Sequence, residues 1–495
     1  MAFKTDESFL EKLTMGAVGT RRVAEYLAEH GHEIVELERY TTSNKIWSIK
    51  VKRLRLPDLL CLRCGLRVEA RAKSKLEIKL SDSPNVSGRE WGAGLQEEDL
   101  IALVACRTEG DEIVASDYVA LFSVGALRDA VDRSRLGPPK SAGEGAERDR
   151  TWPSTSAKRP GRVLEVDERR IRVEWAEGGT YTFRRSDERP FAYVVAGDEF
   201  GEGDRLIQGA VRGLADPDCE GETWDPSGTL QSEDPIEVYA SVKALGLVGS
   251  ESAIESLRAL VDSSADERIR LEGLGALTRL GIEEATTVLL ERAMDAKTGL
   301  DMAMEAVLIL SELRAEDGAG ALAQVASEQS LPDELRAAAV WGLGVTGMNV
   351  PNEIVAFLGD ESDLLAAHAV VAIGSSLEEV DAEAVADLLQ QSEREAASAA
   401  KVLARQGPVG VRVLLRAVND GEESARVWAL YGLGLMDRGE IEAAAGSDVA
   451  EELASTLEPM WRGSQAWISE DDVVSLVNFV GRQTSHVTIV RKNSD

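Results

Sequence analysis

WGLGVTG (Trp341–Gly347) ends an apolar run on a glycine turn, and versions of it recur along the chain. They read ALGLVG (Ala244–Gly249), ALTRLG (Ala276–Gly281), VLARQG (Val402–Gly407) and YGLGLMD (Tyr431–Asp437). Two degenerate copies, LILSELR ending at Arg314 and VVAIGSSL ending at Leu377, fill the gaps. The end points are 32, 33, 33, 30, 30 and 30 residues apart. Self-similarity at this period marks a helical solenoid, whose units bury their apolar faces on one another. Each copy reads as two helices, the first opening on acids that complement the helix dipole, as in ADERIR (Ala265–Arg270) and PDELR (Pro332–Arg336). GLGVTG (Gly342–Gly347) fits G-x-G-x-x-G, but it follows a helix rather than a strand and reads as a repeat turn.

The 495 residues exceed one core, so several domains are expected. No apolar run approaches the ~18 residues that span a bilayer, and the first residues lack a signal-peptide core. The expectation is a soluble, cytoplasmic protein. Four cysteines do not make a disulfide framework. A net charge of −32 with 41 arginines to 14 lysines suits a halophilic, salt-rich cytoplasm. The charge is uneven. Residues 233–440 carry 37 acids and 16 bases, whereas 45–79 carry 11 bases and three acids. A basic island on so acidic a chain suggests contact with nucleic acid.

The predicted organisation is multidomain α+β. Residues 1–135 read as a helix followed by strands, including one at Ile46–Arg53 and a hairpin turning near Arg63–Gly65. Residues 136–160 read as a flexible linker, 161–214 as a small SH3-like β-barrel, and 215–232 as a polar connector. The helical repeats fill 233–440, and 441–495 form a cap and tail. Alternation puts Glu69, Arg71, Lys73 and Lys75 on one strand face and Val68, Ala70 and Ala72 on the other. Lys50, Lys52, Arg53, Arg55, Arg71 and Lys75 are the predicted phosphate-contacting cations. Cys61-Leu-Arg-Cys64-Gly65 has the spacing of half a Zn²⁺ site, and completing it needs two further ligands. Cys106 is distant in sequence; His30 and His32 are the other candidates.

The array resembles the HEAT repeat family in its short form, which includes the phycobilisome-lyase type; no lyase chemistry is carried over. That likeness implies that Arg270, Arg336 and Arg426 pair with an Asp of a neighbouring repeat, with Asp266 and Asp333 as candidates. Residues 1–130 bear a weaker resemblance to the PD-(D/E)xK nuclease superfamily, on Pro57-Asp58 and Glu69. It implies a Mg²⁺ held by Asp58 and Glu69, with a lysine assisting the attacking water. The motif's lysine position is Arg71 here, which leaves Lys73 on the same face as the substitute. The first expectation is therefore a protein-interaction scaffold with a basic domain that touches nucleic acid. A metal-dependent DNA endonuclease is the second, and a purely structural adaptor the third. No membrane partner is expected.

Overall fold

A computed structural model gives the structure of residues 7–37, 47–51, 54–74, 77–109, 112–140, 147–185, 191–208, 211, 215–221, 224–346, 351–374 and 377–463. They group into two units, 11–37 with 54–244, and 7–10 and 47–51 with 245–463.

The first unit is built on helix α1 (Glu7–Glu29) and a mixed sheet. Strands β1 (Ile34–Glu36), β2 (Leu59–Cys61) and β3 (Arg67–Lys73) form an antiparallel meander. β4 (Lys79–Asp82) leaves this sheet. β5 (Leu100–Glu109) then joins β3 in parallel, and β6 (Glu112–Ser123) pairs antiparallel at the far edge. Helix α2 (Val124–Asp129) follows, capped by the Ser123 hydroxyl. The alternation predicted for β3 is observed: Val68, Ala70 and Ala72 face Val23, Ala24 and Leu27 of α1. A Cβ on Gly19 would come within 2.5 Å of the Ala72 Cβ, so only glycine lets α1 lie this close. Ile101, Leu103 and Phe122 point the other way, into a core with Leu127 and Trp152.

The predicted linker is partly sheet. β8 (Arg148–Thr151) pairs with β4 on one side and with β7 (Arg135–Leu136) on the other, and β9 (Ser154–Ser156) lies in the same stretch. The predicted barrel is not closed among the described residues. β10 (Gly161–Val166), β11 (Arg170–Trp175), β12 (Thr180–Arg184) and β14 (Glu199–Phe200) make one sheet. β13 (Phe191–Ala192) and β15 (Arg205–Gln208) join β9 in another. Val163, Ile171, Val173 and Leu206 share one core, so two short open sheets satisfy the burial that suggested a barrel.

From α3 (Pro235–Val248) onward the chain is helical. The next helices are α4 (Ile254–Ser263), α5 (Glu267–Arg279), α6 (Glu283–Met294), α7 (Leu300–Ser311), α8 (Ala315–Ser327), α9 (Asp333–Val345) and α10 (Pro351–Val355). After them come α11 (Asp363–Ala372), α12 (Glu379–Ala386), α13 (Glu393–Ala404), α14 (Gly407–Asp420), α15 (Glu423–Leu435), α16 (Arg438–Ala445) and α17 (Ser447–Gly463). Odd-numbered helices from α3 to α15 carry the recurring phrase, α7 in its glycine-free copy. Several are buried nearly all round, as in α7 from Met302 to Ser311. Gly281 ends its repeat turn at φ +83°, a left-handed conformation that favours glycine. Gly344, part of the apparent dinucleotide motif, instead lets α9 touch α11: a Cβ there would sit 2.6 Å from the Ala372 Cα.

The predicted Arg–Asp ladder is corrected in its partners. Arg336 bonds Asp360 of the following repeat at 2.9 Å, with Asp333 of its own helix secondary at 3.6 Å. Its Nε–H also donates to the Ala326 carbonyl at the end of α8, and Arg426 does the same to Val418 of α14. Asp266 caps α5 and pairs with Arg268, because it stands where the first helical N–H groups lack partners. A separate buried link joins repeats: Arg279 reaches Glu272 at 3.3 Å and Glu312 at 3.4 Å.

In the first unit Arg67 and Asp99 make a bidentate pair at 2.8 Å on both arms, with side chains 6% and 5% exposed. Removing one member of such a pair leaves an uncompensated buried charge, at a cost of about 3–5 kcal/mol. Asp99→Ala is expected to lower unfolding stability by that amount in urea titration, while R67M/D99L together recovers most of it.

Candidate functional site

The hairpin between β2 and β3 turns through Leu62–Cys64, with Gly65 at φ +77°. This left-handed step lets the Cys61 N–H bond the Leu66 carbonyl and the Gly65 N–H bond the Cys61 carbonyl. Both thiols of the C-x-x-C are thereby directed to one side. The loop after α1 brings His32 there, and the connector brings Cys219. The ring nitrogen of His32 and the sulfurs of Cys61, Cys64 and Cys219 all lie within 4.8 Å of one another. His32 and Cys61 are buried, and Cys64 and Cys219 half-buried.

The scaffold around the cluster is polar and well bonded. The Cys219 N–H donates to the His30 carbonyl at 3.0 Å, and His30 Nδ1 meets Asp218 at 2.7 Å. Arg63 donates to the Gly31 carbonyl at 2.8 Å. Trp224 lies over Gly65, where a Cβ would come within 2.6 Å of the indole. His32 Nε2 is 2.9 Å from the Pro217 carbonyl. Since only an N–H can satisfy a carbonyl, this bond fixes the tautomer and turns the Nδ1 lone pair toward the sulfurs. Cys64 Sγ lies 3.6 Å from that Nδ1. The neighbouring Cys64, with His32, holds the Cys61 thiol well below the usual thiol range, and the same proximity, with burial, pushes Cys64 up. Three sulfurs and an imidazole lone pair set this way can bind a soft or borderline cation, and two of the sulfurs can form a dithiol couple.

The sequence named half of this cluster. Of the completing ligands it weighed, His32 is present, whereas His30 is turned to Asp218 and Cys106 is not in the cluster. Cys106 lies in the α1–sheet core, 1% exposed, and burial pushes its thiol up to about 11. Cys219 was missed: it is carried by the connector, and no spacing rule links it to the C-x-x-C.

The acidic–basic window is arranged differently. The Leu59↔Val68 register, extended by one residue, sets Asp58 across from Glu69. Asp58 accepts the Ala70 N–H at 2.8 Å, and Glu69 is paired with Arg71. Lys73 shares their face, and Arg55 is exposed. Lys50 belongs with the repeat unit, so the predicted basic strip is divided between the two units. Lys52, Arg53 and Lys75 lie outside the described residues. Arginines of β11 have local partners: Arg170 pairs with Asp167 at 2.8 Å and Arg172 lies 3.6 Å from Glu165.

In the repeat unit, Trp47–Val51 lies against α9 and α11 and is not the strand predicted. Trp47 is 2% exposed and stacks on His368, centroids 4.9 Å apart and planes 29° apart. His368 donates Nδ1–H to the Leu364 carbonyl at 2.7 Å, in keeping with a packed histidine. The Glu334 carboxylate accepts the Ser48 N–H and hydroxyl, and the Ile49 N–H at 3.3 Å.

The helical array is of the HEAT-like class. The family model of HEAT repeats matches residues 227–311. Among solved structures, human deoxyhypusine hydroxylase in complex with glycerol is 16% identical, over 44% of this chain and 83% of that one, with a TM-score of 0.21. YibA of E. coli is 13% identical over 52% and 90%, with a TM-score of 0.27. No curated protein matches the chain. Among the described residues, no helix is long and apolar enough to cross a membrane.

Burial, with the positive charges of Arg71 and Lys79 nearby, lowers the Lys73 ammonium from 10.5 to about 8. Below pH 8 both folded and unfolded chains hold this proton, and the cost of burying it stands. Between pH 8 and about 10.5 only the unfolded chain still holds it, so stability rises with pH across that window. Lys73→Met is expected to raise unfolding stability at pH 7 by about 1–3 kcal/mol. The gain should shrink toward zero by about pH 10.5, as followed by urea melts across pH.

Proposed function

We propose that this protein is an interaction scaffold whose HEAT-like array takes extended, tryptophan-anchored peptide segments of basic character. The observation that carries this reading is the seat the array gives to Trp47–Val51 of its own chain. An indole sinks between helices onto an imidazole, and one carboxylate gathers successive backbone N–H groups. Those are the elements of extended-peptide recognition: an aromatic anchor for affinity and main-chain bonds for register. The charge is complementary, since the array is acidic and the window from 45 to 55 is basic. Burying an indole and stacking it are together worth about 2–4 kcal/mol, or roughly 30- to 1,000-fold in affinity.

A labelled peptide of residues 44–52 is expected to bind the full-length Trp47→Ala protein at least tenfold more tightly than the wild type, because the seat is then vacant. The same peptide with its tryptophan replaced by alanine should bind neither. Fluorescence anisotropy reads both; equal weak binding by all combinations overturns the proposal.

A second reading, a metal-dependent nuclease, is favoured by Asp58 opposite Glu69, with Lys73 on the same face. Two carboxylates on adjacent strands are chemically suited to Mg²⁺, which would polarise the phosphodiester and its attacking water when bound. Asp58 and Glu69 would hold the ion, and Lys73, half-buried and easily deprotonated, could accept or return a proton nearby. Arg71, paired with Glu69, would have to release that carboxylate. Under this reading Mg²⁺- or Mn²⁺-dependent cleavage of plasmid DNA is expected from the wild type and lost in Asp58→Ala. Absence of cleavage by the wild type over a range of salt removes it.

A further inference from the structure

We propose that His32, Cys61, Cys64 and Cys219 form one structural Zn²⁺ site that fastens the connector to the hairpin and the end of α1. Four observations lead to it. The donors are three thiols and an imidazole, a set that suits Zn²⁺ and leaves no position open for substrate. Their mutual distances fit. A tetrahedral ion with bonds of ~2.3 Å to sulfur and ~2.0 Å to nitrogen sets those two atoms ~3.5 Å apart; Cys64 Sγ and His32 Nδ1 are 3.6 Å apart. The orientation fits as well. Zinc-bound histidines characteristically donate the second ring N–H to a carbonyl or carboxylate, and His32 gives its own to Pro217, 185 positions along the chain. Finally, both Gly65 and Trp224 are committed to the turn that aims the hairpin thiols, as the contact between them shows.

A redox dithiol would need only Cys61 and Cys64. It gives no reason for a third thiol and an oriented imidazole to converge on them. Metal ligation accounts for all four, since the ion repels none of them and neutralises the thiolates it creates. The ion also gives the connector a covalent-strength anchor. Residues 215–221 form no strand of their own, and their main-chain bonds among the described residues include Ala215 N–H to Leu121 of β6 and Cys219 N–H to His30. The coordinated Cys219 would fix the chain 16 residues before α3 begins at Pro235.

The test uses the full-length protein purified under reducing conditions. Elemental analysis is expected to give about one zinc per chain. Titration of the wild type with an organomercurial should release that zinc as three thiols react. Replacing zinc by Co²⁺ should give the visible bands and sulfur-to-metal charge transfer of a tetrahedral thiolate site. Cys219→Ser and His32→Ala should each weaken metal affinity at least tenfold and shift the Co²⁺ spectrum, whereas Cys106→Ala should leave both unchanged. Wild-type protein that is metal-free after reduction and zinc addition overturns the site. So does a Co²⁺ spectrum that Cys219→Ser does not move, or zinc release complete after two thiols. If Cys219→Ser fails to fold, the mercurial stoichiometry and the Co²⁺ spectrum of the wild type still decide.

Discussion

A pair of short helices cannot bury its own apolar stripe, and that constraint shapes the larger part of this molecule. Each repeat is stable only against the next. The residues that must not vary are therefore those at the contact: Gly344 against Ala372, Gly246 against Ala276, and the left-handed Gly281 that turns one helix into another. Two of the arginines that enter the stack are answered from a neighbouring repeat. Arg279 serves carboxylates from two repeats, and Arg336 joins the end of one helix to Asp360 beyond it. Glu305 is a further buried carboxylate, and most other acids of the array lie toward the surface, where they set the sign of the field.

The other unit obeys a different rule. Its sheet is covered on both faces, by α1 on one side and by the Trp152 core on the other. A charge that occurs inside must then be answered by an opposite one, as Arg67 is by Asp99. The Cys/His cluster stands at the end of this sheet, where the hairpin, the helix exit and the connector meet. Main-chain and side-chain bonds join them there, Cys219 to His30, Arg63 to Gly31 and His32 to Pro217, beside the apolar cluster that takes in Leu66, Ala215 and Cys219.

How much could be read from residues alone follows from the range of each interaction. The repeat period was legible because the same local solution is written several times over. The hairpin and the alternation Val68, Ala70, Ala72 were legible because strand geometry acts over two residues. C-x-x-C was legible for the same reason, but His32 and Cys219 meet it only through the fold. Strands β8 and β9 are spelled RDRT and STS, without an apolar stripe, and are made by their pairing partners. Ile46–Arg53 alternates like a strand, yet the burial of Trp47 against α9 and α11 decides the conformation of Trp47–Val51.

The seat occupied by Trp47 has a consequence for concentration. A segment tethered to the surface it binds is present there at an effective concentration on the order of millimolar. Any free ligand for the same helices must therefore out-compete a tenant that no dilution removes. Weak encounters with the many basic peptides of a cell would be filtered out, and only a ligand with a markedly better anchor, or one that also engages a second surface, would be retained. If the array takes such peptides as proposed, its threshold for binding is written into its own chain rather than into the abundance of its partners.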